Sequence, residues 1–262
     1  MKLVDTLKYN PRFNPIISII FFLTLGISIF NHRDLSFWIN CYIIYFISFA
    51  LGVGMALHRI AAHDSTKLPK SILYFFSFIG SLAHVGTPKE WFLGHNIHHQ
   101  FADTIKDPIL PTLKGFNHIL GIYQPISASV ITRWLFNARN SSVMNDKFLL
   151  SLSNYFYLYL ISTYLIVYLI FDLTGLQTFI IGNIGALIAT SLLTHWSHVK
   201  QLGYRNFQES NQSSNLILLF PLFFGEELHN NHHARPKLFS NSIHWWEFDI
   251  IGAIMKWLSL GS

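Results

Sequence analysis

Residues 37–63 read FWINCYIIYFISFALGVGMALHRIAAH. From Phe37 to Leu57 this stretch contains no Asp, Glu, Lys or Arg, and a helix crosses the hydrocarbon core of a bilayer with about 20 apolar residues, within a range of about 17–25. The apolar run therefore predicts a transmembrane helix. It ends on His58 and His63, so a pair of imidazoles emerges where the chain leaves the membrane. The reading of the fold and the reading of the chemistry both start from this junction.

Working outward, three more uncharged stretches qualify or come close: 15–30, 148–171 and 177–193. The linkers at 31–36 and 172–176 are brief, which predicts two helical hairpins. Two weaker apolar stretches, 71–85 behind Pro69 and 216–224 interrupted by Pro221, are read as interfacial or partly buried helices against the membrane face. The composition agrees: of 262 residues, 51% are hydrophobic and only 12% charged, against about 25% charged in an ordinary soluble domain. Without internal repeats or low-complexity tracts, 1–262 reads as one all-α membrane domain. Four transmembrane helices carry a cytoplasmic helical cap formed by 58–147 and 194–262.

Orientation follows from the cations, because basic loops are retained in the cytoplasm. Of 18 Lys and Arg residues, only Arg33 falls in a loop on the far side of a four-span chain. Both termini are therefore expected in the cytoplasm. Lys2, Lys8 and Arg12 ahead of the first apolar block resemble a secretory signal, but Ile29-Phe-Asn-His32 lacks a small-residue cleavage pattern, so the block reads as a retained span. The net charge of +5 comes without a basic run interleaved with aromatics, and nucleic acid is not an expected partner. A lone cysteine, Cys41, rules out an intramolecular disulfide framework and a Cys-rich metal cluster.

Fourteen histidines are the other anomaly. Beyond His58 and His63 they form the triplets His95-Asn-Ile-His98-His99 and His229-Asn-Asn-His232-His233, and His195 and His198 follow the fourth span. Positions three and four apart share a helix face, so the members of each triplet can converge. His58 and His63 are five apart, about 140° around an α-helix; they would serve different metals or require the helix to unwind. In the four-span topology every cluster lies at one membrane face. His32, His84, His118 and His244 stand alone and read as packed or solvated residues.

So many imidazoles exceed the needs of one ion, since structural zinc takes four ligands and catalytic zinc three plus water. Two metals with four or five nitrogens each fit the count. Zinc has no accessible redox chemistry, whereas a site at a membrane face meets lipid. The reading is therefore a pair of irons that activates dioxygen. Zinc would take the same nitrogens in overproduced protein, because intrinsic affinity favours it over Fe²⁺. Asp103, Asp107 and Glu226 lie near the triplets and are candidates to orient the imidazoles through their second ring nitrogen, with plain surface roles as the alternative. Trp91 and Trp196 either line an acyl channel or pack the core.

Three segments resemble the membrane fatty-acid desaturases of the delta-9, acyl-CoA-desaturase-like group. They are Gly52-Val-Gly-Met-Ala-Leu-His58-Arg59, Glu90-Trp91-Phe-Leu-Gly-His95-Asn-Ile-His98-His99 followed by Asp103 and Asp107-Pro108, and Gly225-Glu226-Glu-Leu-His229-Asn-Asn-His232-His233-Ala-Arg-Pro236. The resemblance runs from about Gly52 to Ile254. It implies insertion of a cis double bond at delta-9 of a saturated long-chain acyl group, with dioxygen reduced to water. It also implies nine ligands to two irons: His58, His63, His95, His98, His99, His229, His232, His233 and, from its spacing to Gly203-Tyr204, His198.

Two departures from the family pattern bear on the site. Thr194 stands where the animal enzymes have an Asn that meets a metal-bound water, and His195 beside it is an additional imidazole. Leu93 stands where those enzymes have an Arg that helps hold CoA, which leaves a glycerolipid or carrier-bound acyl chain open beside a thioester. No His-Pro-Gly-Gly haem segment is present, so the electrons are expected from a separate cytochrome b5 or ferredoxin. Related histidine boxes also serve lipid hydroxylases and other di-iron monooxygenases, the competing enzyme reading. A metal transporter or sensor fits poorly, because transporters place ionisable residues inside their spans and the four stretches contain no charged residue.

Overall fold

The computed structural model describes residues 15–109 and 141–259, with residues 130, 132 and 134 between them. Expectations for the first fourteen residues, for His118 and for much of the cap segment 110–140 lie outside the described residues. Among those described the protein is helical, without strands and with isolated bridges only at Tyr204–Asn215 and Asn215–Leu228.

Helix α1 (Pro15–Phe30) starts on a proline, whose missing N–H costs nothing at that position, and ends in a turn where His32 adopts a φ of 48°. Asp34 then caps the next helix, its Oδ1 accepting from the Phe37 amide at 2.9 Å. Helix α2 (Leu35–Ala62) is one continuous rod. From Ile47 its winding widens to the π form, in which hydrogen bonds run i→i+5. Helix α3 (Lys70–Leu82) crosses it backbone to backbone: a Cβ added to Gly80 would sit 2.6 Å from the carbonyl of Gly52, so both positions exclude side chains.

Helix α4 (Pro88–Phe101) opens on a capping box, with Glu90 accepting from the Thr87 amide at 2.7 Å. Asp146 caps α5 (Lys147–Asn154), accepting from the amides of Phe148 and Leu149. Helix α6 (Phe156–Ser197) has 42 residues and breaks at Asp172, whose φ of 58° and ψ of −163° are not helical. Unbroken, it would reach about 63 Å, twice the roughly 30 Å hydrocarbon core. Helices α1 and α2 pack on its second limb, Phe21 against Ile184 and Leu187, and Phe37 and Cys41 against Ile181. Arg33 donates to Gln177 Oε1 at 2.6 Å, tying the α1–α2 turn to the same end as the Asp172 break. Two short helices, α7 (His229–Ala234) and α8 (Ile250–Ser259), complete the chain.

Two helices, α2 and α6, are long and apolar enough to cross a membrane. The expected boundaries need correction. The stretch 148–171 is interrupted at Tyr155, so the long helix starts at Phe156 instead. The stretch 177–193 runs on to Ser197 inside α6. The segment 216–224 forms only tight turns, Ile217–Leu219 and Phe220–Phe223, because Pro221 can start a helical turn but the left-handed Phe224 ends it. Leu23, Phe30, Leu165 and Leu169 are all more than half exposed, a patterning suited to hydrocarbon surroundings.

Candidate metal centre

The wide winding of α2 decides the geometry at His58 and His63. In an i→i+5 helix, residues five apart lie nearly above one another, and the two rings are 5.2 Å apart, centroid to centroid. The helix is underwound here relative to the α form, and both rings fall in one nitrogen group. His58, His63, His95, His99 and His232 each offer a ring nitrogen, and all five nitrogens lie within 4.8 Å of one another.

His98, His198, His229 and His233 form a second group with the same mutual limit. Each triplet is thus divided between the groups. His95 and His99, four apart, go one way and His98 the other; His229 and His233 go one way and His232 the other. Neighbouring helix positions diverge by about 100°, so adjacent histidines at the end of each triplet serve opposite groups.

Within the groups the Nε2 atoms converge. His99 Nε2 lies 3.0 Å from that of His95 and 2.9 Å from that of His232, while His229 Nε2 lies 3.1 Å from those of His198 and His233. Three of the second ring nitrogens are taken by carboxylates. His58 Nδ1 meets Glu226 Oε2, His98 Nδ1 meets Asp107 Oδ2 at 2.9 Å, and His198 Nδ1 meets Asp103 Oδ2 at 3.0 Å. A carboxylate on Nδ1 fixes the tautomer that leaves the Nε2 lone pair pointing inward, the form a metal requires.

The donor set fits metal ions on two further observations. His63 Nε2 and His98 Nε2, one in each group, are buried without a hydrogen-bond partner among the described residues, a costly state that a cation would relieve. Burial, and then the neighbouring imidazoles, also hold the pKa values of His63, His95, His99, His229, His232 and His233 far below the usual histidine range. These rings are neutral and able to ligate. Burial pulls His98 the same way, but Asp107 outweighs it and raises that group.

Thr194 donates to the Thr190 carbonyl at 2.9 Å, its hydroxyl engaged along its own helix. His195 is half-buried and lies outside both nitrogen groups. Trp91 lines the cavity beside the metal groups, together with Phe49, Val53, Leu187 and Leu193, whereas Trp196 lines a different groove.

Several residues of this centre were not expected from the sequence. Arg59 is fully buried and donates through Nε to Glu226 at 2.9 Å and through Nη1 to Asp249 at 2.8 Å. The short α7 is held by asparagines: Asn215 Oδ1 accepts from the amides of Asn230 and Asn231, and Asn230 Oδ1 from those of Asn206 and Phe207. Six residues make a marginal helix by themselves, so these side chains fix the third triplet. The signals available were an arginine directly after the first histidine and a pair of asparagines inside the third triplet.

Comparison with known proteins bears on the chemistry. The family model described as fatty acid desaturase matches residues 35–260. An icosanoyl-CoA 5-desaturase of Limnanthes douglasii is 30% identical over 96% of this chain and 71% of its own length. Delta-9 acyl-lipid desaturase 1 of Arabidopsis thaliana is 32% identical over 80% of the chain and 68% of its length. An sn-1 stearoyl-lipid 9-desaturase of Synechocystis is 30% identical over 96% of the chain and 80% of its length.

Proposed function

The chain belongs to the fatty acid desaturase family, and on that premise we propose that it inserts a cis double bond, at delta-9, into the saturated acyl chain of a membrane glycerolipid. The reading is carried by one juxtaposition: the two imidazole groups stand at the wall of an apolar cavity lined by Phe49, Val53 and Leu187. Two irons on those nitrogens would supply the oxidising chemistry, using dioxygen and two electrons from a separate cytochrome b5 or ferredoxin to take hydrogen from adjacent methylenes. The nine histidines hold the irons, and Asp103, Asp107 and Glu226 orient three of them. Phe49, Val53, Leu187 and Trp91 keep the reacting methylenes dry and in place. Relatives named for lipid-linked delta-9 substrates support the substrate class, as does Leu93 in a position where a cation would assist CoA.

The test is expression in a desaturase-deficient host with mass spectrometry of its lipids. A new double bond nine carbons from the carboxyl end, with loss of two hydrogens, is the expected product; an alcohol with gain of oxygen would indicate the hydroxylase reading instead. Active protein should hold about two irons per chain by elemental analysis, and overproduced protein should show zinc in their place. Fully active enzyme with a single metal would overturn the two-ion reading.

The topology belongs to the same proposal: four spans, α1, the first part of α2 and the two limbs of α6, with both termini cytoplasmic. It is supported by the Arg33–Gln177 bond, which sets the two reversals at one end, and by the crowding of cations at the other. Reporter tags at residues 33 and 174 should be accessible from the side opposite a tag at residue 2. Shared accessibility would refute it.

A further inference from the structure

The segment between Tyr204 and Asn215 carries no histidine, yet it touches the metal centre at both of its ends. Arg205 closes it into a loop. Nη1 donates to the Asn211 carbonyl and Nη2 to the Glu209 carbonyl, both at 2.9 Å, and Nε reaches the Phe207 carbonyl more loosely at 3.4 Å. A guanidinium presents its donors in a rigid planar fork, so one side chain fixes three carbonyls of a short loop relative to one another.

The near end of the loop is pinned to α7: besides the two amides held by Asn230, the Asn206 side chain donates to Asn231 Oδ1 at 2.9 Å. The far end reaches the turn that follows the second triplet. There the Gln212 amide donates to Asp103 Oδ2 at 2.7 Å, the same oxygen that lies 3.0 Å from His198 Nδ1. The Asp103 amide donates in turn to Asp107 Oδ2 at 3.1 Å, and that oxygen meets His98 Nδ1. Beside it, the Asn211 side chain lies 3.5 Å from His233 Nδ1. His98, His198 and His233, the rings addressed from this far end, all belong to the four-nitrogen group.

We infer that Arg205 is a positioning residue for the four-nitrogen group: by clasping the loop it holds the Gln212 amide on Asp103, and so fixes the ring of His198. The inference rests on the two-ion reading above. It makes Arg205 the counterpart of Arg59, whose partner Glu226 holds His58 in the five-nitrogen group. Without Arg205 the feet of the loop stay in place, because Asn230 still accepts from Asn206 and Phe207 and the Ser214 amide still donates to the Ser197 carbonyl at 2.7 Å. Only 208–212 is released, so the loss falls on one metal group and not on the fold.

Iron release tests it without turnover. Full-length protein loaded with Mössbauer-active iron is challenged with a chelator in detergent, and spectra taken during release show which iron leaves. His63→Ala and His229→Ala open one group each and so assign the two signals. Arg205→Ala should speed release from the four-nitrogen group about 10-fold, the lower end of the effect of orienting residues on metal affinity. The five-nitrogen group should keep its wild-type rate and spectrum. Arg205→Lys, whose ammonium cannot reproduce the fork, should fall between the two. Asn211→Ala removes the Oδ1 that accepts from the Ser213 amide at 3.0 Å; it loosens the same end of the loop, should act on the same iron, and carries the test if Arg205→Ala does not fold. Equal acceleration of both irons, acceleration of the five-nitrogen iron alone, or unchanged release in Arg205→Ala and Asn211→Ala would each overturn the inference. A single iron in wild-type protein would refute the two-ion reading and the inference with it. Two irons that respond as expected, without a new double bond in the lipids, would refute the desaturation reading alone.

Discussion

His198→Ala should abolish product, whereas its near neighbour His195→Ala should retain measurable desaturation, at equal membrane levels of the two variants. His198 is fully buried, with Nε2 3.1 Å from that of His229 and Nδ1 on Asp103. Losing it opens the four-nitrogen group and takes from Asp103 the ring that its carboxylate orients, while the Gln212 amide still donates to that carboxylate at 2.7 Å. Changes to partners one step removed from a metal cost about 10–100-fold, so removal of a ligand from the smaller group should exceed about 100-fold. His195 lies outside both nitrogen groups and should not carry this cost. Lipid analysis of the two variants, with immunoblots for amount, makes the comparison. A dead His195→Ala beside an active His198→Ala would mean that the register after α6 is wrong, and two dead variants would mean that a tenth imidazole has been recruited. The other eight members of the groups should behave like His198, while His32→Ala and His244→Ala stay active.

The sequence made the histidines themselves conspicuous, because the triplets recur in a chain otherwise poor in polar residues. How they divide was not legible. Division depends on ring direction: His98 and His99 are adjacent in the chain yet face opposite groups, and His58 and His63 share a group only because α2 is wound wide from Ile47. Hydrophobic runs mark where a helix crosses but do not reveal its winding. They also conceal a break inside an uncharged stretch, as at Tyr155, whereas the break at Asp172 falls where the linker 172–176 was expected. The carboxylates were within reach of local reasoning because Asp103 and Asp107 follow the second triplet closely. Arg59 and Asp249 were not, since their meeting joins residues 190 apart in sequence.

Arg59→Met should be among the most damaging changes outside the histidines. The guanidinium lies between two buried carboxylates, Glu226 and Asp249, and also donates to the Phe239 carbonyl at 2.8 Å. Glu226 in turn holds His58 Nδ1. Removing one member of a buried ion network leaves uncompensated charge and costs about 3–5 kcal/mol, which should appear as a lower thermal unfolding temperature in detergent. Destabilisation alone would not distinguish a structural role from a positioning one, and Arg59→Lys separates them. Lysine keeps the charge, but its point ammonium cannot reproduce the planar fork that addresses Glu226 through Nε and Asp249 through Nη1. Glu226 would then be freer to swing, and His58 would lose its fixed tautomer. The lysine variant should therefore fold near its normal temperature yet lose about 10–100-fold in activity or metal affinity, with occupancy falling first in the five-nitrogen group that contains His58. Elemental analysis and the spectroscopic inequivalence of the two irons would report that loss independently of turnover. Normal occupancy and normal product in Arg59→Lys would show that the arginine serves the fold alone.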